Sequence, residues 1–122
     1  MRSEIHFTHM DRSPAVEDYA TARLDSIITE FLNRKDAHWQ AWMVAEKSTE
    51  SRGPHVFRCE VSVRYAPKKE VFVSKEATDM YDAINMAVGS LTEVIREETK
   101  REQQRKRRAA RRENVRVAVA VS

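Results

Sequence analysis

The side chains best placed to do chemistry lie between Lys100 and Arg112, where the chain reads "KREQQRKRRAARR". Eight of these residues are basic (Lys100, Arg101, Arg105, Lys106, Arg107, Arg108, Arg111 and Arg112), and Glu102 is the one acid. Such groups make and break no covalent bonds unless a nucleophile or base stands beside them. They bind: a guanidinium presents a planar fork of donors that matches phosphate oxygens, and clustered cations release counterions from a polyanion. The 122-residue chain has a formal net charge of +3. Residues 100–112 contribute +7, from eight bases and one acid, which leaves −4 for the remainder. A positive field this localised attracts polyanions and speeds their association. Nucleic acid is the favoured partner class, ahead of an anionic membrane or an acidic protein. A purely solvated helix end is the bland alternative, but solvated faces ordinarily mix the two signs.

Other chemistries find no residues to carry them. His6, His9, His38 and His55 are scattered without ligand spacing, so no metal site is expected. Gly53 and Gly89 are the two glycines, too few for a phosphate-binding loop. No nucleophile, base and orienting group fall together, so the chain reads as a non-enzyme with no catalytic residues and no cofactor. Cys59 is the single cysteine and cannot form an internal disulfide. No run of about 18 apolar residues is present, so no membrane span is expected. The opening "MRSEIHFTHM" lacks the apolar segment of a signal peptide. A reducing, cytoplasmic setting follows as an expectation.

The cationic stretch needs something to hold it. "EIHFT", residues 4–8, alternates as a short strand. Ser13 is a candidate N-cap, with Pro14 at the first helical position and Glu17 and Asp18 in the first turn. Val16, Ala20, Leu24, Ile27, Ile28 and Phe31 then recur at helical spacing. "AHWQAWMVAEKS" is rich in strand formers, with Trp39 and Trp42 on opposite faces and one of them in the core. "ESRGPH" reads as a turn broken by Gly53-Pro54. In "VFRCEVSVRY", Phe57, Cys59, Val61, Val63 and Tyr65 face one way, which makes Cys59 a buried small hydrophobe. After the short link "APKK", "EVFVSKEA" turns Val71 and Val73 inward. Asp79 caps a second helix, with Asp82 at the capping-box position. Its apolar stripe is Tyr81, Ile84, Ala87, Val88, Leu91 and Ile95, and Gly89 within it suggests a close approach of another element. Helix formers continue to about Arg112, so the helix outgrows its own stripe and carries the basic block into solvent.

The order β-α-β-β-β-α predicts an α+β fold, a four-stranded sheet with two helices packed on one face. The like-charge pairs Arg101/Arg105, Arg107/Arg111 and Arg108/Arg112 each weaken a helix slightly, and Glu97–Arg101 and Glu102–Lys106 offset some of that. The arm is expected to fray alone and to order on phosphates. Beyond it, Val115, Val117, Val119 and Val121 alternate. Two readings stay open for residues 113–122: a disordered tail, or an edge strand whose pairing with a neighbour would give a homodimer.

"ATDMYDAIN", residues 77–85, resembles the helix-opening motif of the ribosome hibernation-promoting factors, also called ribosome-associated inhibitor, ribosomal subunit interface or sigma-factor modulation proteins. Asp79, Met80, Tyr81, Ala83 and Ile84 match that motif, and Asn85 replaces its final acid. The first helix fits too, with Tyr19, Leu24, Ile27 and Phe31 at the family's spacing. The resemblance covers residues 4 to about 101. It implies a fold similar to double-stranded RNA-binding domains, and a protein that inhibits translation by occupying the decoding channel of the small ribosomal subunit in stress or stationary phase. Residues 1–99 would be the ribosome-binding domain and residues 100–112 a basic extension of its second helix. Family members display bases along both outer helix faces. Here Arg23 and Arg96 keep such positions, while Ala22, Ser26, Ser90 and Glu93 do not. The expected contacts to ribosomal RNA are therefore Arg23, Arg96 and the eight bases from Lys100 to Arg112.

Overall fold

Local signals set where each element begins. Ser13 has extended backbone and its Oγ accepts the Val16 N–H at 3.3 Å, so the first helix starts at Pro14, where a missing N–H costs nothing. At the second helix the Asp79 carboxylate accepts from the Tyr81 and Asp82 N–H groups, at 2.8 and 3.2 Å. Both caps satisfy donors that the helix itself leaves orphaned. The computed structural model describes residues 2–32, 37–46, 56–65 and 68–121, with side chains described to Arg111. Its elements are β1 (Arg2–Thr8), α1 (Pro14–Phe31), β2 (His38–Glu46), β3 (Val56–Tyr65), β4 (Lys69–Ala77) and α2 (Met80–Val121). The turn read at residues 50–55 and the first two residues of the 66–69 link lie outside the described residues.

The four strands form one sheet in the order β1-β2-β3-β4. β1 runs parallel to β2, as a helical crossover demands, and β2, β3 and β4 form an antiparallel meander. Register follows the hydrophobic alternation, since a slip of one residue would turn every apolar side chain to water. Trp39 lies beside Val63, Ala41 beside Val61, Met43 beside Cys59, and Val61 beside Val73. This inner face packs against Val16, Ala20, Leu24, Ile27 and Ile28 of α1 and Met80, Ala83, Ile84, Ala87, Val88, Leu91 and Ile95 of α2. The expected α+β architecture is thus the one observed. Trp39 is the core tryptophan, and its indole N–H donates to Asp25 Oδ1 at 3.0 Å, tying β2 to α1. Cys59 is buried, and burial pushes its thiol pKa up to about 12.

Two sequence expectations need correction. Gly89 does not mark a close approach: a Cβ built there meets nothing within 4 Å. At about 100° per residue, position 89 has already rotated off the face that holds Val88. The valines after Glu113 do not form a strand, because α2 continues through Val121. Extending an existing helix costs far less than nucleating a new element, and Ala118 and Ala120 favour extension.

Candidate nucleic-acid interface

Among the described side chains of α2 the last buried one is Ile95, and every residue from Lys100 to Arg111 is exposed. From Lys100 onward the described part of the helix packs on nothing and runs on as an arm. Its root is fastened by charge. Lys69 on β4 donates from Nζ to Glu98 Oε2 at 2.9 Å, and Arg101 reaches Glu97 at 3.1 Å and Glu98 at 3.8 Å. The hydrogen bond from Lys69 holds the Glu98 carboxyl below the usual carboxylate range, and Glu98 in turn raises the Lys69 ammonium. Glu97–Arg101 forms as its spacing predicts, whereas Glu102–Lys106 does not close to an ion pair.

Helical geometry sorts the arm's charges by direction. At about 100° per residue, Arg96, Lys100, Arg107 and Arg111 share one sector of the helix surface, and Arg101, Arg105 and Arg108 share another. The azimuth that carries Leu91 and Ile95 inside the body carries Glu98, Glu102 and Lys106 outside it. Arg96, Lys100, Arg107 and Arg111 therefore point away from the body's side, while Arg101 and Arg105 continue the azimuths of the buried Ala83 and Ala87. Lys100, Lys106, Arg107, Arg108 and Arg111 have no hydrogen-bond or ion-pair partner among the described residues. Exposed cations in this number, on about 5 Å centres along a rod, suit phosphates better than any single compact anion.

The other two expected contacts sit apart from the arm, on the helix faces. The Arg23 guanidinium lies 5.3 Å from the Tyr19 ring centre, and Arg96 lies 5.5 Å from that of Phe31. Stacking on a ring steadies a guanidinium at about 0.5–1 kcal/mol while leaving its donors free. Tyr19 is itself pinned. Its hydroxyl donates to Asn85 Oδ1 at 2.8 Å, and its ring meets Tyr81 edge-on at 5.0 Å. Sequence reasoning missed this α1–α2 latch. Asn85, the departure from the family motif, accepts the tyrosine hydroxyl as a carboxylate would. Around Arg23 and Arg96 the faces are neutral or acidic, with Asp18, Ala22, Ser26, Glu93 and Glu97 exposed. Arg112 belongs to α2, but its side chain lies outside those described.

No helix among the described residues is long and apolar enough to cross a membrane. Nor does any group of three or more His, Cys, Asp or Glu among them lie close enough to hold a metal ion.

The fold and this arm define a class: a small α+β body, two helices on one face of a four-stranded sheet, with a cationic helix projecting from it. Residues 3–103 match the family model described as sigma 54 modulation protein / S30EA ribosomal protein. The chain belongs to that family, and so to the ribosome-associated modulation proteins. The match ends inside the arm, just after Glu102. Among solved structures, the fold is shared with the N-terminal domain of Protein Y from Thermus thermophilus, at 23% identity and a TM-score of 0.59, covering 78% of this chain and 96% of that one. It is also shared with a ribosomal subunit interface protein from Coxiella burnetii, at 16% identity and a TM-score of 0.67, covering 82% and 99%. A search of curated proteins found no match.

Proposed function

We propose that the protein is a cytoplasmic translation inhibitor that binds the small ribosomal subunit in its decoding channel under stress or in stationary phase. The arm supplies most of the phosphate contacts. The observation that supports this reading is the unbroken helix that leaves a family-typical body at Ile95 and then exposes every base from Lys100 to Arg111. Inhibition is steric: a body and a rod fill a channel lined with ribosomal RNA. Such RNA is read largely through shape, phosphates and 2′-hydroxyls. Arg23 and Arg96 add two oriented guanidiniums, and Arg112 extends the row. If roughly five to eight phosphates are engaged, the log–log dependence of affinity on salt has a slope of about −4 to −7.

Translation assays with the full chain and with a chain ending at Thr99 test the proposal. The full chain inhibits and the shorter one loses most of its inhibition. Undiminished inhibition by the shorter chain would return the binding surface to the helix faces.

A second reading has one observation in its favour. The helix faces are thin in positive charge, as a general RNA-binding or protein-interaction module that uses only its arm would allow. Co-sedimentation separates the two: binding to small subunits but not to bulk duplex RNA supports the inhibitor.

A further inference from the structure

The sheet face turned away from the helices has a second, separate concentration of donors. Strand register arranges its outward side chains in ranks. Arg2, His38 and Arg64 stand side by side on β1, β2 and β3, and Glu4, Gln40 and Ser62 form the next rank. These six residues line a cavity of about 380 Å³ that opens to solvent. That volume lies at the small end of the range for ligand sites and holds a phosphate with an attached sugar.

Arg58 and Arg64 belong to the same face of the same strand, yet their surroundings differ sharply. Arg58 is fully answered by acids: it pairs with Glu46, meets Glu60 at 2.8 Å and lies 3.9 Å from Glu76. Its side chain is 26% exposed. The contact with Glu60 is ionic but lacks hydrogen-bond alignment, which leaves Nε without a true acceptor. Arg64 is 73% exposed, and its one acid, Glu70, stands at 3.6 Å and also accepts from Ser62 Oγ. Arg2 and His38 have no hydrogen-bond or ion-pair partner among the described residues.

Glu4 is two residues from Arg2 on the same face and could neutralise it. Instead its Oε2 accepts from Gln40 Nε2 at 3.1 Å and faces His6 Nε2 at 3.4 Å. The guanidiniums of β1 and β3, with an imidazole between them on β2, form a rank of donors that the oxygens of a tetrahedral oxyanion could bridge.

We propose that the rank Arg2–His38–Arg64 is a phosphate-binding site on the outer sheet face, distinct from the arm. Its ligand is a phosphate group, held by guanidinium forks from β1 and β3 with His38 between them. Gln40 and Ser62 line the wall beside it. The phosphate could belong to a polynucleotide backbone or to a free nucleotide. If it is the backbone, the protein grips RNA from two sides.

The test is a set of titrations of the isotope-labelled full chain, followed residue by residue by NMR. The probes are inorganic phosphate, adenosine monophosphate and a short oligouridylate. The expected result is a saturable shift at His38, Gln40, Ser62 and Arg64 that Arg2→Gln/Arg64→Gln weakens by about tenfold or more, as loss of charge-assisted hydrogen bonds should. All of these side chains are on the surface, and the dispersion of the core resonances reports whether the variant is folded. Arg64→Lys, which keeps charge and loses the fork, gives an intermediate loss and serves if the double variant does not fold. Saturation by oligouridylate at far lower phosphate concentration than by the monophosphate identifies a backbone ligand; similar saturation by both identifies a free phosphate. Shifts confined to Lys100–Arg111, or sheet-face shifts that survive the substitutions, overturn the site. Arm resonances are read in the same spectra, so failure here leaves the arm's role standing or falling by itself.

Discussion

Up to Ile95, α2 buries a side chain every three or four positions; from Arg96 to Arg111 it buries none. The two halves share one backbone and one hydrogen-bond ladder, yet different physics keeps each of them helical. The first half is fixed by apolar contact with β3, β4 and α1, at roughly 25 cal/mol per Å² removed from water. The second half relies on propensity, on Glu97–Arg101, and on the Lys69–Glu98 fastening at its root. Its like charges work against it. A helix can therefore be structural at one end and a bare binding surface at the other, with the changeover inside a single turn.

Substitutions can break or sharpen that contrast. The largest effect on stability falls in the body: Trp39→Ala removes a fully buried ring and the Asp25 bond and should cost about 3–5 kcal/mol in urea unfolding. It should leave the salt slope of ribosome binding unchanged in the fraction still folded. The converse is Arg105, Arg107, Arg108 and Arg111 changed together to Gln. Gln is nearly as good a helix former as Arg, so the thermal midpoint barely moves, but the slope becomes shallower by about one for each phosphate that is no longer neutralised. A shifted midpoint with an intact slope would reverse the assignment of roles.

Smaller effects probe the junctions. Asp79→Ala removes the cap of α2 and should destabilise by about 1 kcal/mol in the same unfolding experiment. Gly89→Ala should stabilise by roughly 0.5–1 kcal/mol, since its Cβ enters open space and the helix gains propensity. The smallest and most local effect concerns pH. The Glu98 carboxyl is depressed by Lys69, so its contribution is present above the ordinary glutamate value of about 4.3 and is lost as pH falls through the lower folded value. Cα shifts of Glu97–Arg101 should thus lose helical character in acid before the core unfolds, and Lys69→Met should remove that separate transition.

Most of the body was legible because alternation and helical spacing each leave one solution. Val61, Val63, Val71 and Val73 could not face water without also exposing Leu24 and Ile84. The caps at Ser13 and Asp79 were legible for the same local reason. The Trp39–Asp25 and Tyr19–Asn85 bonds were not, because nothing in a sequence reports which distant acceptor a polar ring will meet. Gly89 could have been read correctly from its angular position. The valine run misled because period two signals a strand only where a partner strand exists. The Arg2–His38–Arg64 rank needed the register of two strand pairs, one of them parallel across a helical crossover. The arm's composition was plain in the sequence, but the direction of each cation depends on where the core leaves the helix.

That dependence has a mechanical corollary. No glycine or proline interrupts α2 between Leu91 and Val121, so the core sets the rotational phase of everything downstream. One residue inserted after Ile95 would swing every later guanidinium by about 100° around the axis without changing composition or charge. The body thus acts as an indexing mount, and evolution can re-aim the whole row by adding or deleting a single codon near the arm's root.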